Sequence, residues 1–337
     1  MFFRKNILYT ILVSLLISVF ACKSDKNNNK IENHKDSISI LNIQIRKDPF
    51  NASLFSKRAA LYWKQQKRDS AINDATIAVR LDSMNEKWTL QLAEYLIRTA
   101  KSDKAIDVLQ KFLTRKPESV QVLTRIGKYY TILKNYTKAK EYIDKALTID
   151  PQYAYAHFAK AMVLYETNQF EEAKKAFLDV IQYNPDESEA YMMIGLIYQK
   201  NNDTLALQYY RTAAQLKGND PQPYYNMAYL YQEKGDYAKA FDIYNYILRK
   251  IDKYYTNAYF NQAFIYMKYL NNYDKAIKYY DSVLLIHPER VDALCNKAFC
   301  FEKLGDKITA RSLYFKAKSI EPNYELAIEG LNRLENK

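Results

Sequence analysis

The residue types that do chemistry are few in this 337-residue chain, and their spacing suits little of it. Three histidines, His34, His157 and His287, lie far apart in sequence. No HExxH or CxxC brings metal-ligating side chains to a common turn, so no metal site is expected. Cys295 and Cys300 are five residues apart on one expected helix, which points them roughly 140° apart. They cannot bridge within that helix, and packing is the reading for both. None of the six glycines forms a phosphate-cradling loop. Gly127 and Gly195 fall at close-packing positions, and Gly235 and Gly305 each precede an aspartate in a turn. Carboxylates alternate with lysine on solvated faces, without a pair isolated in an apolar setting. These residues imply no catalytic set and no cofactor. What remains conspicuous is tyrosine, 32 of them.

The remaining cysteine has a different setting. MFFRKN carries two cations, and an apolar run, ILYTILVSLLISVFA, leads to Cys22. That run is shorter than the ~20 residues of a spanning helix and has the pattern of a signal peptide. Val19-Phe20-Ala21-Cys22 resembles a bacterial lipobox, with small Ala21 before the cysteine and aliphatic Val19 two residues earlier. The resemblance implies cleavage after residue 21, a diacylglyceryl group on Cys22 and a bacterial envelope location. Lys23, rather than Asp, follows the cysteine, which by resemblance to enterobacterial sorting implies the outer membrane. Residues 22–35 are polar and read as a flexible tether, about 40 Å at full extension. The formal charge is +12, or +10 without Arg4 and Lys5. Lysines alternating with acids along the chain suit a solvated helical surface, and nucleic acid is not an expected partner.

The elements that must position any site show a period. Pro117, Pro151 and Pro185 follow one another at 34 residues, and so do Pro288 and Pro322. A small residue recurs early in each period, among them Ala59, Ala93, Gly127, Ala161, Gly195 and Ala228. A second follows about twelve residues on, as at Ala71, Ala139, Ala173, Ala206 and Ala240. Aromatic residues recur three after the first small residue, as at Tyr62, Tyr130, Tyr198 and Tyr231. Large ones recur four after the second, as at Phe177, Tyr210, Tyr244, Tyr280 and Tyr314. Spacings of three and four place these on one helical face. Small residues let two antiparallel helices approach, and Gly235-Asp236 and Gly305-Asp306 turn the chain between them.

This small–aromatic–small–aromatic–Pro grammar resembles the tetratricopeptide repeat. The implied fold is all-α, a right-handed superhelical α-solenoid of about eight helix-turn-helix repeats. The copies are read at 52–85, 86–117, 120–151, 154–185, 188–218, 221–252, 255–288 and 291–322. A lone helix is expected over 36–49 and a capping helix over 323–337, the repeats together filling residues 50–322. The fifth copy is one residue short in its turn and gains KGNDP afterwards; the seventh has LNN where Gly-Asp is expected.

In the family, positions 2, 5, 9 and 12 of each first helix line the concave face. In the first three copies these are mostly polar, with Ser53, Ser56, Lys87, Glu94, Gln121, Thr124 and Lys128, and Trp63 as an apolar exception. From the fourth copy they become Tyr155, Phe158, Met162 and Tyr165, then Met192 and Leu196, then Tyr225 and Tyr229. Phe260, Phe264 and Met267 follow, and Phe299 closes the run. An apolar groove of this kind invites a partner, or is covered by the chain itself. Asn226, Asn261 and Asn296 share an inner position, but aromatic residues replace the lysines of the family's carboxylate-gripping members. The resemblance therefore implies a non-catalytic, lipid-anchored scaffold that binds protein or peptide partners, periplasm-facing at the outer membrane. A carrier of a lipid or small hydrophobic ligand in the same groove is the alternative.

Overall fold

The computed structural model describes the backbone from residue 27 to residue 335 and side-chain surroundings from residue 37. The leader, Cys22 and its expected lipid lie outside the described residues. The described residues form α-helices joined by short turns, without strands, in two compact units that divide after Pro151.

In the first unit, α1 (Asn27–Lys47) leads into three hairpins: α2 (Ala52–Lys64) with α3 (Arg68–Leu81), α4 (Glu86–Arg98) with α5 (Ser102–Leu113), and α6 (Val120–Ile132) with α7 (Tyr136–Ile149). Five more make the second: α8 (Ala154–Glu166) with α9 (Phe170–Tyr183), α10 (Ser188–Lys200) with α11 (Ala206–Leu216), and α12 (Pro221–Glu233) with α13 (Tyr237–Tyr246). The last two are α14 (Thr256–Lys268) with α15 (Tyr273–Ile286) and α16 (Val291–Lys303) with α17 (Lys307–Ile320), followed by α18 (Glu325–Glu335).

Local sequence explains each boundary. Asn51, Asn85, Ser119 and Asp220 cap first helices by accepting a backbone N–H in the first turn. Every hairpin then turns through a left-handed residue just past its first helix. These are Gln66, Ala100, Lys134, Asn168, Asn202, Gly235, Asn271 and Gly305, with φ between 50° and 87°. The N–H that follows reaches back to the first helix, as from Asn135 to Tyr130 O at 2.9 Å and from Asp306 to Phe301 O at 3.0 Å. Only Gly235 and Gly305 accept this backbone without steric cost.

Close packing explains the small residues. Ala59, Ala71, Ala161, Ala173, Ala228 and Ala240 are fully buried. Where the facing side chain is large even alanine is excluded: a Cβ on Gly127 would lie 2.5 Å from Ile143 Cγ1, and one on Gly195 2.5 Å from Tyr210 Cε1. The large residues of the second helices fill the space between hairpins, Leu109, Ile143, Phe177, Tyr210, Tyr244, Tyr280 and Tyr314 all being about 1% exposed or less. Leu109, Ile143 and Phe177 each contribute about 1.5–3 kcal/mol by leaving water.

First helices begin 34 residues apart from Ala52 to Ser188, then 33, 35 and 35 apart, and 34 again to Glu325. The missing residue falls in the turn of the α10–α11 hairpin, where α11 starts only at Ala206. One added residue is absorbed by a π-helical turn, Ile247–Ile251, that ends α13; the Asp252 N–H there reaches Ile247 O at 2.9 Å. The other enlarges the LNN turn before α15.

Helix α1 starts at Asn27, not at residue 36, so much of the stretch expected as a tether is helical. Once the packed part is nucleated, each further residue adds a hydrogen bond at little cost. That packed part is fastened by buried Leu41 and by Arg58, whose guanidinium donates to Asn42 at 2.7 Å and to both carboxylate oxygens of Asp74 at 2.6 and 2.8 Å. Asp74 is 2% exposed, and its hydrogen bond, together with its charge, raises the pKa of Arg58 against the effect of burial.

Candidate partner-binding face

Positions 2, 5, 9 and 12 of the first helices fall on one face of each unit. In the first unit that face is polar and internally bonded. Ser56 donates to Gln91 Oε1 at 2.7 Å, and Gln91 returns a bond to Ser56 O. Glu94 lies between Arg98 at 2.5 Å and Arg125 at 3.0 Å. Burial alone would raise its pKa, but the bond from Arg98 and the charge of Arg125 hold it below the usual carboxylate range. Trp63 stacks on Tyr95 with centroids 4.2 Å apart, and Arg68 covers the indole at 3.9 Å.

The same face of the second unit is aromatic. Tyr155 is exposed, at 59%. Phe158, Met162, Tyr165, Leu196, Tyr225, Tyr229, Phe260, Phe264 and Phe299 are partly buried, each leaving part of its side chain to solvent. Their rings lean on their own hairpins: Phe158 meets Phe177 edge-on at 5.5 Å, Tyr165 meets Phe170 at 5.4 Å and Phe260 meets Tyr280 at 5.6 Å. Cations flank the row. The Arg290 guanidinium sits 4.4 Å from the Phe260 centroid and Lys303 Nζ 5.1 Å from that of Phe299.

Two of the expected face residues belong to the core. Met192 is 8% exposed and packs with Tyr210, Met227 and Leu230. Met267, 7% exposed, receives the Tyr280 hydroxyl on its sulfur at 3.8 Å. Met192, at position 5, is covered by the next hairpin, whereas Met267, at position 12, follows a feature that spacing did not reveal. In the last four hairpins the residue at position 12 receives the hydroxyl of the second-helix tyrosine: Gln199 from Tyr210 at 2.6 Å, Gln232 from Tyr244 at 3.1 Å, Met267 from Tyr280, and Glu302 from Tyr314 at 3.2 Å. Position 12 there completes the core. The signal was present in the repetition of Tyr210, Tyr244, Tyr280 and Tyr314, but the receiving residues share no type.

The asparagines join this network. Asn261 Nδ2 donates to Tyr244 Oη at 2.8 Å and to Tyr225 Oη at 3.1 Å, tying three helices together. Gln222 links Asn226 at 2.9 Å to the hydroxyl of Tyr255 at 3.1 Å. Burial raises the pKa values of Tyr225, Tyr244 and Tyr280. Cys295 and Cys300 are buried free thiols, pushed up to about 12 by burial. Among the described residues no group of His, Cys, Asp and Glu is disposed to hold a metal ion.

Profiles described as tetratricopeptide repeat match residues 56–119, 90–154, 131–197, 221–245 and 257–290. The chain belongs to the tetratricopeptide-repeat family. It is 23% identical to anaphase-promoting complex subunit 3 of Schizosaccharomyces pombe over 55% of this chain and 28% of that one. It is 25% identical to a TPR repeat-containing protein of Methanocaldococcus jannaschii over 69% of this chain and 51% of that one. The tetratricopeptide array thus spans about half the length or less of both curated relatives. In fold it is similar to the C-terminal part of a TPR repeat-containing protein from Cytophaga hutchinsonii, with TM-score 0.57 and 20% identity, covering 72% of this chain and 99% of that one.

Proposed function

We propose that this tetratricopeptide-repeat protein is a non-catalytic scaffold of a bacterial envelope, held to the outer membrane by lipid on Cys22 and facing the periplasm. Its second unit holds a segment of a protein partner along the first-helix face. The observation that carries the reading is the row of partly buried aromatic and aliphatic side chains from Phe158 to Phe299. The rings are fixed by edge contacts and hydroxyl bonds, so little order remains to be lost when a partner docks. Rigid tyrosines and phenylalanines with adaptable Met162 between them suit apolar side chains of an extended or helical peptide. The cationic leader, its apolar run and the lipobox-like residues before Cys22 support the anchor.

A photo-crosslinking residue at Tyr155 or Phe264 tests the face in living cells. Both positions should capture the same partner, whereas Leu285 and Phe315, exposed on second helices, should not. Equal capture from all four positions overturns the reading. For the anchor, Cys22→Ser should shift the protein from the membrane to the soluble fraction; unchanged membrane retention refutes lipidation.

A further inference from the structure

Charge is not shared evenly between the units. Residues 1–151 hold 27 Lys and Arg against 15 Asp and Glu, while residues 152–337 hold 23 of each. The whole positive excess therefore belongs to the first unit. Within it, cations gather where the hairpins turn, in KQQKR at 64–68, RTAKSDK at 98–104 and KNYTKAK at 134–140. These stretches contain nine Lys and Arg and one acid, Asp103, with Asp69 just beyond the first and Glu141, paired with Lys145, just beyond the third. All but Arg68 are exposed. Arg98 pairs with Glu94, and Lys101 lies 3.6 Å from Asp69. Among the described residues no carboxylate lies within 4 Å of Lys64, Lys67, Lys104, Lys134, Lys138 or Lys140.

Successive hairpins stack in the same direction, so the three turns share one edge of the unit, about 20 Å long. The contact of Lys101 with Asp69 joins the second turn to the first. Helix α1 enters from this same edge. It runs antiparallel to α2, with Asn42 against Arg58. Six residues before Asn42 and six after Arg58, residue 36 of α1 comes level with Lys64 in the turn. The α1 backbone from residue 36 back to Asn27 therefore projects about 13 Å past the basic edge. The apolar leader precedes Asn27 in sequence, and Asn27 itself lies beyond the edge that carries the cations.

We infer that this hairpin-turn edge lies on an anionic phospholipid surface; the inference rests on the proposed membrane attachment through residues 1–22. Each lysine near such a surface is drawn to it, and the attraction is lost as salt screens it. Flexible stems let the ammonium groups reach headgroups of varied position. Attachment at Cys22 fixes only distance, whereas the basic edge selects which side of the unit meets the bilayer.

Full-length protein reconstituted in vesicles provides the test. Vesicles of phosphatidylcholine alone are compared with vesicles that also contain phosphatidylglycerol. Lysines are labelled with a water-soluble amine reagent and quantified by peptide mass spectrometry. Lys64, Lys67, Lys104 and Lys134 should label about tenfold more slowly on the anionic vesicles and recover in about 0.5 M salt. Lys87 and Lys116, exposed at the opposite edge, should label alike on both. A Lys64→Glu/Lys101→Glu/Lys134→Glu variant should lose the protection at Lys67 and Lys104. Equal labelling of the turn lysines on both vesicles overturns the inference, as does equal protection of Lys87 and Lys116. So does protection by a single-stranded RNA or an acidic peptide when phosphatidylglycerol gives none. The mass of the Cys22 peptide and retention on neutral vesicles report the attachment separately. If they show none, labelling of the protein mixed with anionic vesicles still decides for or against the edge.

Discussion

Single side chains in the second unit do two jobs that spacing alone did not separate. Tyr210, Tyr244, Tyr280 and Tyr314 were legible as core residues because they recur at a packing position. Their hydroxyl bonds were not, since the acceptors are two glutamines, a methionine and a glutamate. Met192 and Met267 belong to the core because the side chains they meet, Tyr210, Met227 and Leu230 for one and Tyr280 for the other, lie on the other helix of the pair or on the next hairpin. Tyr244→Phe should lower the urea stability by about 1–2 kcal/mol, because Gln232 and Asn261 lose a shared buried partner. Alkali gives a further check. Burial raises the phenol pKa values of Tyr210, Tyr244 and Tyr280, so above the unfolded value near 10 the unfolded chain releases protons that the native chain keeps. Stability is complete below that pH and falls as pH rises beyond it, so tyrosinate absorbance should rise together with the loss of helical circular dichroism. Titration of every phenol with the helices intact contradicts the burial. With both thiols pushed up to about 12, Cys295 and Cys300 should resist a thiol reagent at pH 8 and react once denaturant is added.

Helices and turns were the most legible level. The regular spacing of prolines and small residues located each hairpin, because antiparallel helices can approach only where side chains are small. The irregular places were visible as length changes, but the sequence did not distinguish a widened turn from a widened helix. In α13 the extra residue entered the helix, since Ile247 stays fully buried while the π turn accommodates the surplus. Start of α1 at Asn27 was missed because an isolated polar stretch carries no signal of the packed helix that extends into it. The left-handed turns give a prediction with a sign. Lys134→Gly and Gln66→Gly should each stabilise the first unit by about 1 kcal/mol in urea titrations, because a Cβ is strained at their φ of 58° and 63°. Gly195→Ala should instead cost about 1–3 kcal/mol, since its methyl would overlap the Tyr210 ring. If Gly195→Ala proves neutral, the hairpin is looser than these contacts indicate.

Over the whole molecule, the class of fold was readable, whereas the division of charge was hidden by averaging. A net +12 spread along the chain looks like an ordinary solvated surface; assigned to one unit and one edge, it acquires a direction. The aromatic face and the basic edge belong to different units, so substitutions should separate them: Phe264→Ala should weaken partner capture and leave lysine protection unchanged, while the turn variant should do the reverse.

The tyrosine bonds carry a last consequence. Asn261 on α14 holds hydroxyls from both α12 and α13, and Arg333 on α18 reaches Tyr314 and Glu302 behind it. The α12–α13 hairpin is thus keyed to the one that follows it, and the α16–α17 hairpin to α18, although all share a backbone design. Shuffling them, or excising one and rejoining its neighbours, would strand a phenol or an amide in the interior. Their order in the chain is a built-in address, and these copies cannot be exchanged like identical bricks.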